Sequence, residues 1–196
     1  MAAPIVRVLA AVRYGTAARV ETFVAAEQER LKALLAADPR WDTEGLPRAE
    51  AARVRAERRA WVVQQREAGE ALDTRDAVMT RGVRLELAAR GWDHDWPLPP
   101  AEASLRGRWP GSRDGGYPER VAAALPPALV ERVRGACWET SAPAIRALWV
   151  WRDENPGLLL DGTSPALREY RRLAAEVTTH GDIWRAALAQ VLDAGK

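Results

Sequence analysis

Cysteine is almost missing: Cys137 stands alone in 196 residues, which excludes an intramolecular disulfide and any zinc site built on cysteine pairs. Histidine is nearly as scarce, so a histidine-assisted nucleophile has only His94 and His180 to recruit. Lysine is confined to Lys32 and Lys196, leaving positive charge to arginine. Together with abundant Ala, Gly and Pro, that bias reads as the codon usage of a GC-rich genome, actinobacterial in type. The chain also lacks a G-x-S-x-G elbow, a Walker phosphate loop, a G-x-G-x-x-G fingerprint, an H-E-x-x-H pair and an EF-hand loop, which removes the common motif-bearing enzyme classes.

Long apolar runs are absent too. The stretch Met1–Gly15 holds about eight apolar residues broken by Arg7, with no basic region ahead of it. No export or membrane signal is expected from it, and with a lone cysteine the expected location is the cytoplasm. Nor is there an excess of one charge: 29 basic residues face 27 acidic ones, for a net charge of +2. Neither half is a basic domain, so any anion-binding surface must arise from local clustering.

What the chain does contain is helical periodicity. The fold expected is mainly α, with little or no β: a segment over 1–91, a Trp/Pro/Arg/Gly connection over 92–117 and a helical domain over 118–196. The apolar run at Ile5–Val12 is too short for periodicity to decide, and helix is the expectation there. From Thr16, the stripe Val20, Phe23, Val24, Leu31, Leu34 and Leu35 describes an amphipathic helix that stops at Asp38-Pro39. The stretch Pro47–Leu72 carries six arginines and four glutamates and reads as an exposed helix with one modest apolar face. A third helix follows, capped by Asp73 and ended by Gly91, although the alternation of VRLEL over 83–87 leaves a strand open there. Four C-terminal helices in a bundle-like unit are expected: one from Pro126-Pro127, a second capped by Ser141, a third from Ser164-Pro165 to His180-Gly181, and a last one capped by Asp182.

Three features bear on chemistry. Asp93-His94-Asp95 is the one cluster resembling metal ligands, but in an extended chain its aspartates point one way and its histidine the other. No metal or other cofactor is expected. His180, at an expected helix C-terminus, reads as a local cap, and Cys137 reads as a core residue. The third feature is the segment RGRWPGSRDGGYPER, where Arg106, Arg108, Arg113 and Arg120 alternate with Trp109 and Tyr117. Guanidinium forks match phosphate oxygens and aromatic rings stack on bases, so these six residues are the candidate nucleic-acid contacts. Arginines of the 47–72 helix are a further candidate phosphate track, offset by Glu50, Glu57, Glu67 and Glu70.

Residues 118–151 resemble a ribbon-helix-helix DNA-binding unit: a strand Glu119–Leu125 ending in Leu-Pro, a helix Pro127–Trp138, a turn at Glu139–Ala142 and a helix Ala142–Trp151. The resemblance implies a two-stranded ribbon, formed with a second chain, that enters the major groove. Its outward residues would be Arg120, Ala122 and Ala124, or, one step over, Glu119, Val121 and Ala123. The resulting expectation is a non-enzymatic, nucleic-acid-associated regulatory or accessory protein, of the kind mobile elements carry, with DNA or RNA as partner. The competing expectation is a helical adaptor that binds a protein partner or its own copies, anchored by some of the nine tryptophans. Neither involves a membrane.

Overall fold

The strand that begins the architecture lies where helix is the expectation from sequence. In the computed structural model, which describes residues 5–101, 103, 116–157 and 163–194, β1 (Val6–Val12) pairs antiparallel with β2 (Glu119–Leu125). The register runs from Val6 opposite Leu125 to Val12 opposite Glu119. Valines at 6, 8 and 12 suit a pleated, half-buried surface, but the partner that decides the matter lies in the other half of the chain. Val8, Ala10 and Val12 face inward with Val121, Ala123 and Leu125.

Six α-helices complete the described chain: α1 (Thr16–Ala37), α2 (Arg48–Ala68), α3 (Arg75–Ala89), α4 (Pro127–Glu154), α5 (Pro165–Ala175) and α6 (His180–Asp193). A short 3-10 turn, Pro39–Trp41, joins α1 to the α2 approach. The protein is mainly helical, with one small sheet among the described residues. Beyond Pro126 the described residues form three helices rather than the four expected, because α4 runs unbroken through Glu139–Ala142. Pro143 sits inside it and forfeits a helix hydrogen bond. Ser141 does not cap a second helix. Its buried hydroxyl accepts from the Thr178 amide at 2.9 Å and so ties α4 to the chain that follows α5.

The largest core lies under the inner face of the ribbon, where α1 contributes Val20 and Val24, α3 Met79 and Val83, α4 Val133 and Cys137, and α6 Ile183 and Leu188. Residues from both sides of the 92–117 connection meet there. Full burial of such side chains contributes roughly 1.5–3 kcal/mol each. α3 passes tightly over α6 at Gly82, where a Cβ would come within 2.2 Å of the Ala187 carbonyl oxygen. A second core joins α4 to α5 through Ile145, Leu148, Trp151, Leu167 and Tyr170. Trp151 donates its indole N–H to the Ala166 carbonyl oxygen at 2.9 Å.

A third, smaller cluster holds α2. Leu31 and Leu35 of α1, Ala71, Trp41, Trp61 and Val62 pack together, with the two indoles 5.9 Å apart. Of the 21 residues of α2, Ala51 alone is buried. The start of the connection also packs: a Cβ on Gly135 would lie 2.6 Å from Trp96 Cβ and 2.8 Å from the Pro97 carbonyl oxygen. Trp92–Pro97 is therefore laid along α4.

Candidate nucleic-acid interface

Strand alternation divides the ribbon into two faces. The outward set is Arg7, Leu9 and Ala11 from β1, opposite Ala124, Ala122 and Arg120 from β2. Of the two registers that the sequence leaves open for β2, Arg120, Ala122 and Ala124 point outward. Ile5 and Leu9 are 68% and 61% exposed, so the face combines apolar side chains with Arg7 and Arg120. Neither strand turns a carboxylate outward, because Glu119, the one acid in either strand, is on the inward register opposite Val12.

That carboxylate is occupied. Glu119 accepts from the amides of Gly15 at 2.8 Å and Ala17 at 2.9 Å, satisfying donors that the first turn of α1 leaves open. These bonds hold its carboxyl below the ordinary carboxylate range. At the opposite end, Asp76 in the first turn of α3 accepts from the Ala124 amide at 2.8 Å. Since that amide faces away from β1, the bond covers part of the open edge of β2. Arg185 of α6 reaches the other edge, donating to the Ala11 carbonyl oxygen at 3.3 Å. The same guanidinium lies 3.8 Å from the centroid of the Tyr117 ring and pairs with Asp182.

Of the six candidate contacts read from the sequence, Arg106, Arg108, Trp109 and Arg113 lie outside the described residues. Tyr117 and Arg120 come together at the entry to β2, where Arg120 Nη1 donates to the carbonyl oxygens of Tyr117 at 2.6 Å and Glu119 at 2.9 Å. Tyr117 presents one face to Arg185, which leaves a different role from free base stacking. Sequence reasoning misses Arg7 and Leu9 altogether. No local pattern in VRVLAAV marks them; they join the face only through pairing with β2.

The metal-like tripeptide resolves differently. Asp93 and Asp95 do point the same way, and both receive Arg132 of α4, at 2.7 and 3.1 Å. His94 turns to Trp96, with ring centroids 4.2 Å apart. Among the described residues no group of three or more His, Cys, Asp or Glu side chains gathers to hold a metal. His180 is not at a helix C-terminus; it is the first residue of α6, because Thr179 and Asp182 form a capping box around it. Burial, with the Arg134 charge, pushes its imidazole down to about 4. Burial raises the Cys137 thiol to about 12, beyond the range of a working nucleophile. No described helix is long and apolar enough to cross a membrane. Comparison with family models, with characterised proteins and with solved structures returns no match.

Proposed function

We propose that this protein is a non-enzymatic, nucleic-acid-associated regulatory or accessory factor. The observation that supports the reading is the outer face of the β1–β2 ribbon. A two-stranded antiparallel ribbon has the width that a major groove admits, and this one sets Arg7 and Arg120 among small and apolar residues with no outward acid. The ribbon is formed within a single chain, between β1 and β2. Alanines at 11, 122 and 124 let the backbone approach a surface closely, while the arginines supply forks for phosphate oxygens or guanine edges. Arg106, Arg108, Trp109 and Arg113, which precede β2 in the sequence, remain candidate contacts in this reading. The test is anisotropy of labelled duplex and single-stranded DNA and RNA between about 50 and 200 mM salt. Binding that weakens linearly in log salt supports the reading, and no binding at the lowest salt refutes it.

A second reading is favoured by Ile5 and Leu9, whose exposure next to the open part of the β1 edge suits strand addition by a protein partner or a second copy. Light scattering across a dilution series separates the two: a dimer that Leu9→Lys dissociates, without nucleic acid, belongs to this second reading alone.

A further inference from the structure

We infer that α2 is a phosphate rail for duplex nucleic acid, an inference that rests on the nucleic-acid reading above and adds a second contact surface to it. The helix spans 21 residues, about 31 Å at 1.5 Å per residue, and is attached through its C-terminal half to Leu31, Leu35 and Trp41. In its N-terminal half Ala51 is buried and Val54 half-buried, and the other side chains are exposed.

Charge is sorted around that surface. At 100° per residue, Arg48, Arg55 and Arg59, spaced i, i+7 and i+11, fall on one side, and Glu50 and Glu57 on the other. Glu50 and Glu57 therefore do not pair with the arginine stripe, whose field the bare sequence suggests the glutamates would partly cancel. Glu57 is instead engaged at 3.6 Å by Arg53, on its own side of the helix. Arg66 continues the stripe but is committed to Asp73 at 2.6 Å. Arg48, Arg55 and Arg59 are exposed, and among the described residues no carboxylate forms an ion pair with them.

Other described arginines, Arg7 among them, also lack a carboxylate partner, but Arg48, Arg55 and Arg59 are aligned along one side of a single helix. Arg30, Arg90, Arg132 and Arg172 are each held by one or two carboxylates. Three uncompensated guanidinium groups in a line about 16 Å long complement a polyanion of regular, extended shape. The flanking residues, Ala52 and Ala56, are small enough to let a phosphate backbone lie close, and they provide none of the large apolar anchors on which a protein interface depends. The occupant is thus the sugar-phosphate backbone of a duplex, bound without regard to sequence.

The experiment compares the full chain with an Arg48/Arg55/Arg59→Ala variant, using anisotropy of a labelled mixed-sequence DNA duplex across about 50 to 200 mM salt. Removing one phosphate-binding arginine lowers the slope of log K against log salt by ~0.9, so the triple variant is expected to fall by about 2.7 units. The corresponding Arg→Lys triple variant keeps the slope, since a point charge suffices, and Arg53→Ala leaves it unchanged. Circular dichroism confirms the helix content of each variant; should the triple lose helix, Arg55→Ala alone is expected to lower the slope by ~0.9. A triple variant whose slope falls by less than about one unit overturns the rail, as does a fall of about 0.9 with Arg53→Ala alone. If wild type binds and only the rail variants behave as wild type, this inference fails and the nucleic-acid reading stands. If wild type does not bind, both fail.

Discussion

Glu119 closes the first turn of α1, accepting from the Ala17 amide at 2.9 Å across 102 residues of chain. With the bond from Gly15, it fixes the ribbon to the helix beneath it. Glu119→Ala is expected to lower the melting temperature and to expose the β2 amides to hydrogen exchange before those of α3. The pH sign follows from the backbone bonds: they lower the folded carboxyl pKa below its ordinary value of 4.5. Their contribution is present above that value and disappears as pH falls through the lower folded one. Glu119→Gln removes this part of the acid sensitivity, and an acid titration followed by circular dichroism measures it. An unchanged profile would mean that the bond does not hold the ribbon.

Of the described glycines, Gly82 has the least room for a side chain. Any side chain there meets the Ala187 carbonyl, which is backbone and cannot swing aside. Gly82→Val is expected to cost about 3 kcal/mol or more by forcing α3 and α6 apart. Urea unfolding measures it. A loss below about 1 kcal/mol would show that the two helices are not so closely crossed.

His180 makes a separate pH prediction. Its folded pKa, pushed down to about 4, lies below the ordinary 6.5, so the unfolded chain binds more protons between those values. Stability is therefore complete above pH 6.5 and declines as pH falls towards 4. The decline attributable to this residue is at most ~3 kcal/mol, from 1.36 kcal/mol per pKa unit. His180→Gln is expected to flatten the curve in that window, and urea midpoints at a series of pH values read it out.

Cys137 reports on opening of the core. Fully buried and with a thiol pushed up to about 12, it is expected to resist a disulfide reagent at neutral pH in the folded state. Labelling should keep pace with global unfolding as urea is added. Fast labelling in native buffer would contradict the packing of α4 against the ribbon.

Legibility in the sequence tracks the range of the interaction that decides each element. The stripe from Val20 to Leu35 identifies α1 within one window, and Gly91, at positive φ, marks where α3 stops, whereas α2 ends at Ala68 before Gly69, short of the Leu72 that the sequence suggests. Ser141 and Pro143 look like a helix boundary, yet α4 continues because Ala142, Ala144 and Ile145 bury on the far side of that point and Ser141 bonds Thr178. Asp73 resembles a cap, but Thr74 accepts from the Ala77 amide, and Asp73 pairs with Arg66 seven residues back. The capping box at Thr179 and Asp182 is readable from its spacing; His180-Gly181 conceals it by resembling a helix end. For the candidate interface, Arg120 is visible as part of an arginine-aromatic segment. Arg7 is not, since only the pairing of Arg7 with Ala124 places it on the same face.

The nucleic-acid reading is tested most directly by the salt dependence of duplex binding for Arg7→Ala/Arg120→Ala against wild type. The account predicts that wild-type affinity falls steeply with salt and that the double variant drops by about 1.8 units of log–log slope, 0.9 for each arginine, while its circular dichroism matches wild type. Equal slopes for the two proteins, or a wild type that binds no nucleic acid at the lowest salt, would contradict the assignment of the ribbon face.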